Sequence, residues 1–168
     1  VVAICTDGYT DSAPFIIDMG LGLTSPGQIF DTFECVSPGH VFYFEGITHQ
    51  PEFEEKIASV HHGINSDHDL RLFSLRGLKG KQNTQSQDSY LLWDESFQDE
   101  VLKHIKDGET ITVIHDNIAT LFTKEGCEST IDMTKAVMPW LRKLQSKKVT
   151  QIWVVPDGKY AAAIPSHY

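Results

Sequence analysis

Residues 111–122 read Ile-Thr-Val-Ile-His-Asp-Asn-Ile-Ala-Thr-Leu-Phe, and this stretch decides the fold. It opens on a β-branched, apolar run, Ile111 to Ile114, with no polar alternation. A strand of that kind needs cover on both faces, which is the condition of a parallel sheet between helices. It closes on His115, Asp116 and Asn117. In open α/β sheets ligands bind beyond the carboxyl ends of the strands, where Asp116 falls. In a phosphate-handling site such a carboxylate orients Mg²⁺ or its water. Taken alone, Asp-Asn after a strand is also ordinary turn chemistry, so the weight rests on the features on either side.

Upstream, Val1 to Cys5 reads as a first strand, and Thr6 to Ser12 as a turn rich in Asp and Gly. Ser12 is placed to cap a helix with Pro14 in its first turn. Phe15, Ile16, Ile17, Met19, Leu21 and Leu23 are apolar nearly all round that helix, which predicts its burial. Strand, tight loop, helix is the setting of a phosphate-binding loop, whose glycines, lysine and terminal hydroxyl surround a triphosphate. Laid on that pattern, Cys5 and Thr10 fall on the glycines, Asp11 on the lysine and Ser12 on the hydroxyl, with Thr6, Asp7, Gly8 and Tyr9 between. Only Ser12 matches. A carboxylate at the lysine position repels a polyphosphate.

Gly27 to Gly39 reads as a loop with an apolar insert. His40 to Glu45 is a second buried strand, Gln50 to Val60 a helix with acids at its start, and Leu70 to Leu75 a third strand. Arg76 to Ser89 and Thr123 to Thr130 lack periodicity and read as mobile loops. Glu95 to Lys106 and Ile131 to Ser146 are helices with apolar stripes. Thr150 to Val155 is a fifth strand, and Tyr160 to Ile164 is placed for a sixth. Strands alternating with helices predict one α/β domain over residues 1–168, a three-layer sandwich with a mostly parallel central sheet.

The chain has 168 residues and a net charge of −9. That balance argues against direct nucleic-acid binding unless a local basic stripe exists. The visible one, Arg142, Lys143, Lys147 and Lys148, reads as the solvated face of a helix. No apolar run reaches membrane-spanning length, which argues against a membrane partner. Three cysteines with no Cys-x-x-Cys pair point to a reducing cytoplasm and away from a zinc site. Trp93, Trp140 and Trp153 read as core anchors.

The order of these pieces resembles the RecA-like ATPases, especially the RepA-type hexameric plasmid helicases. Ser37 to Gly46 resembles their Pro-Gly and following strand, His115 to Phe122 their Walker B strand, and Pro139 to Lys159 their last helix and strand. The resemblance implies a RecA-like sandwich, with Asp116 on the Walker B acid, Asn117 after it, and Ser12 on the Mg²⁺ hydroxyl. It also marks departures. Asp11 replaces the phosphate lysine, and Ile47 falls on the catalytic glutamate, with Glu45 two residues earlier on the same strand face. Pro156 and Asp157 stand where the γ-phosphate sensor should be. Removing one such part commonly costs orders of magnitude in rate.

Three functions follow. The first is a non-enzymatic pseudo-ATPase module working through a protein partner or self-association, with no cofactor expected. The second is a metal-dependent nuclease or phosphatase, with Glu45, Asp116 and His115 converging at the strand ends with Asp7 or Asp11. The metal candidates are Asp116 and Ser12. The third is a regulator that binds Mg·ATP without hydrolysis, its missing cation supplied by Lys159 or, in trans from a neighbouring subunit, by Arg71 or Arg76. The first fits the charge pattern best.

Overall fold

The computed structural model describes residues 1–7, 12–46, 50–60, 70–74, 92, 95–122 and 129–156. In chain order the elements are β1 (Val2–Thr6), α1 (Ala13–Gly22), β2 (Gly27–Ile29), β3 (Phe33–Cys35), β4 (His40–Glu45), α2 (Gln50–Val60) and β5 (Leu70–Ser74). Then follow α3 (Glu95–Lys103), β6 (Ile111–Asp116), α4 (Ile118–Phe122), α5 (Thr130–Ser146) and β7 (Thr150–Pro156). Five strands form one sheet in the order β1-β7-β6-β4-β5. Every pairing in it is parallel.

The apolar run that opens β6 is buried at every position, as its lack of alternation requires. Side-chain parity divides the core into two clusters. On one face Phe42, Phe44, Val113, Trp153 and Val155 pack with Val101 and Ile105 of the α3 region and with Met133, Val137, Trp140, Leu141 and Leu144 of α5. On the other face Val41, Tyr43, Ile114, Ile152 and Val154 pack with Ile16, Ile17 and Leu21 of α1 and with Ile57 of α2. Helices α1 and α2 thus contribute to one cluster, and α5 to the other.

Three local details depart from the sequence expectations. Residues 27–39 are not a plain loop: β2 and β3 pair antiparallel across a turn in which Phe30 and Asp31 take positive φ. Ser12 holds the N-cap position of α1 with Pro14 in the first turn, yet its backbone is αR and its hydroxyl makes no cap hydrogen bond. Finally, α1 is not buried all round. Ile16, Ile17, Gly20 and Leu21 are buried, whereas Phe15 is 48% exposed.

Helix α5 is better capped. Ser129 accepts from Asp132 N–H at its start. At its end Lys148 takes φ +57°, Lys148 N–H donates to Gln145 O and Val149 N–H to Leu144 O, the paired pattern of a Schellman stop. Pro139 is accommodated within the helix.

Candidate functional site at the carboxyl ends of β4 and β6

In a parallel sheet, a crevice opens where two neighbouring strands send their next helices to opposite faces. Here those neighbours are β4 and β6. After β4 the chain enters α2, whose Ile57 packs on the α1 face, whereas β6 leads through α4 to α5 on the opposite face. Glu45 and Asp116 are register partners at the carboxyl ends of these two strands. Both are buried, at 4% and 7% exposure. By parity both lie on the α1 face with Tyr43. Side chains directly opposite one another on adjacent strands come within about 5 Å at Cβ, so the two acidic side chains leave the sheet side by side, and both are buried.

Tyr43 completes this arrangement. Its ring is buried among the α1-face residues, and its hydroxyl donates a short hydrogen bond to Asp116 Oδ2. Sequence reasoning did not single out Tyr43. The signal was available: a tyrosine two residues before a strand-end acid shares that acid's face, and a buried phenol requires a partner.

Asn117 serves the backbone. Its Oδ1 accepts from Thr120 N–H at 3.0 Å, and Thr120 Oγ1 donates to Asn117 O at 3.1 Å, which starts α4 with a side-chain cap. Gly46 follows β4 directly and packs on α4: a Cβ there would stand 2.6 Å from Thr120 Oγ1. Gly46 N–H also donates to Asp116 O at 3.2 Å. The two strand ends are thereby locked together just beyond the carboxylates.

His115 does not join them. Being one residue from Asp116, it points to the opposite face, where it is fully buried. Trp140 Nε1–H donates to His115 Nε2 at 2.8 Å, and the ring stacks on Trp153 with centroids 3.7 Å apart. The Nδ1–H faces Ile152 O at 3.4 Å. Burial among aromatic rings disfavours the imidazolium and pushes the pKa down to about 3, against a small opposing effect of the Ile152 carbonyl. The expected convergence of His115 with the strand-end acids is therefore corrected: this is a neutral core histidine.

Of the phosphate-loop positions, Cys5 and Asp7 are exposed, and Thr6 ends β1 beside Pro156 of β7. Because β7 lies between β1 and β6, Thr6 and Asp116 are separated by two strand spacings, roughly 10 Å. Gly8, Tyr9, Thr10 and Asp11 lie outside the described residues, as do Ile47, Arg76, Asp157, Lys159, Trp93 and Cys127, residues 75–89 and 123–128 of the two expected loops, and the expected sixth strand. Arg71 falls on β5. Two members of the basic stripe at the end of α5 pair within the protein: Lys143 with Asp99 at 2.9 Å and Lys147 with Asp107 at 3.2 Å.

Among the described residues no group of three or more His, Cys, Asp or Glu side chains is placed to hold a metal ion. Among the same residues no helix is long and apolar enough to cross a membrane. Compared with protein-family models, curated proteins and solved structures, the chain matches none.

Proposed function

We propose that the chain is a single RecA-like domain, a three-layer sandwich, that has lost ATP hydrolysis and acts through protein–protein contact or self-assembly. A setting in DNA replication, recombination or plasmid and phage maintenance follows from the family resemblance. The observation that carries this reading is the absence of a matching cation: Glu45 and Asp116 are buried in register at the switch point as metal-holding acids would be, yet Asp11 stands where the phosphate lysine should be. Two such acids serve a triphosphate only through Mg²⁺ and beside a phosphate-binding cation, and one of them is engaged by Tyr43. Asp11 at the lysine position of the phosphate loop adds a third acid in sequence. Electrostatic stabilisation of a developing phosphoryl charge needs a cation at that lysine position, and an acid opposes it. Cys5 and Cys35, both free thiols, fit a reducing cytoplasm.

The test is mass in solution by light scattering, with and without Mg·ATP. Assembly state should be the same in both. An oligomer that forms only with Mg·ATP refutes the reading.

One observation favours a second reading. Glu45 and Asp116 are in register, and two side-by-side carboxylates are a common half of a Mg²⁺ site in nucleases and phosphatases. In that case Glu45 and Asp116 would hold the ion, and the ion would activate water. Metal-dependent cleavage of DNA or of p-nitrophenyl phosphate that is abolished by Asp116→Ala would establish this second reading and displace the first.

A further inference from the structure

A second concave surface lies away from the strand ends, between α1 and the β2–β3 hairpin. It is a cleft of about 320 Å³ lined by Asp18 and Gly22 of α1 and by Ser25 to Asp31. Its chemistry is two-sided. Asp18 and Asp31 bring carboxylates to the lining, and no Lys, Arg or His is among the lining residues. Phe30 brings an aromatic ring, fixed by parallel stacking on Phe15 at 4.4 Å with 8° between planes. Beyond the cleft, Phe33 of β3 is 64% exposed and Val36, just after β3, is 81% exposed. Phe15, stacked on Phe30, is itself 48% exposed, so a solvent-facing apolar group adjoins the cleft.

We propose that this cleft docks an arginine side chain carried on an apolar, basic segment of a partner protein. This rests on the reading that the chain works by protein contact, but it uses a different surface from the strand-end acids. Guanidinium is the cation that suits both halves of the cleft. Its planar fork pairs with carboxylates, and its weakly hydrated face stacks on aromatic rings. Lysine satisfies the carboxylates alone. Neighbouring leucine-like side chains on the partner would cover Phe33 and Val36. The acidic balance of the chain, −9, favours the approach of such a segment.

The experiment is a titration of the isotopically labelled protein with the acetylated peptide Gly-Leu-Arg-Gly-Leu-Arg-Gly, followed by backbone amide shifts. A matched peptide with lysine in place of arginine is run beside it. Saturable shifts are expected at Gly22, Ser25 and Gly27 to Asp31. Asp31→Asn keeps a residue that tolerates positive φ, and Phe33→Ser alters only an exposed side chain, so both variants should fold. Each should weaken arginine-peptide binding about fivefold, as should the change to lysine. The proposal is overturned by shifts confined to other acidic surfaces such as Glu52 to Glu55, by absence of saturation, or by unchanged affinity in Asp31→Asn. Its failure would leave the pseudo-ATPase reading standing, because that reading is tested by Mg·ATP and not by peptide.

Discussion

Lowering the pH should destabilise this protein through His115 in a way that can be calculated. The folded protein holds the imidazole neutral, with a pKa of about 3, against 6.5 for the free side chain. The unfolded chain therefore binds a proton that the folded protein refuses, and stability rises with pH across that window. Full stability is present above 6.5 and is lost progressively as pH falls toward 3. At pH 5 the unfolded state gains RT ln(1 + 10^1.5), about 2 kcal/mol relative to pH 8. The figure depends on the unfolded pKa alone as long as the folded value stays well below 5. Against a total stability of order 5–15 kcal/mol, that is a large share. The assay is denaturant unfolding at pH 8 and pH 5, followed by tryptophan fluorescence, for the wild type and for His115→Gln. Glutamine retains an acceptor for Trp140 and does not titrate. The wild type should lose about 2 kcal/mol more than the variant between the two pH values. Equal losses, or an imidazole resonance in the folded protein that titrates between pH 5 and 7, would refute the burial argument.

Other substitutions probe the site and its frame. Tyr43→Phe removes the phenol donor from a buried carboxylate and should cost about 1–3 kcal/mol in denaturant unfolding; a neutral result would mean that Asp116 does not depend on it. Gly39→Ala would drive a Cβ into the Thr110 carbonyl oxygen, a backbone atom that cannot swing aside. It should cost about 3 kcal/mol or more, read as a fall in thermal midpoint. Lys148→Gly relieves a positive φ in the Schellman stop of α5 and should stabilise by about 1 kcal/mol; destabilisation would show that the lysine side chain contributes more than its backbone conformation costs.

The larger elements were legible because each has one dominant signal. Uninterrupted β-branched and aromatic runs at His40 to Glu45, Ile111 to Ile114 and Thr150 to Val155 allowed only buried strands, and the stripe of Met133, Val137, Trp140, Leu141 and Leu144 allowed only a helix on a core. The β2–β3 hairpin was not legible. Its strands are three residues each, and its turn sets Phe30 and Asp31 at positive φ without the Asn-Gly or Asp-Gly pair that announces such turns. Helix α4 has only five residues, too few for periodicity to register. At the site, Glu45 and Asp116 were found from their places at strand ends. Their direct pairing was not, because it depends on β6 lying beside β4, although β5 falls between them in the chain. The misplacing of His115 beside Asp116 has a simpler origin: adjacent residues on a strand face opposite ways, and the alternation that assigned Glu45 to a face assigns His115 away from it.

Acid at the lysine position of the phosphate loop, where a nucleotide enzyme needs positive charge, underlies the functional reading. Calorimetric titration of the protein with Mg·ATP tests it most directly. No saturable heat should appear, in the wild type or in Asp116→Ala alike. A Mg²⁺-dependent binding isotherm in the wild type that vanishes in Asp116→Ala would contradict it.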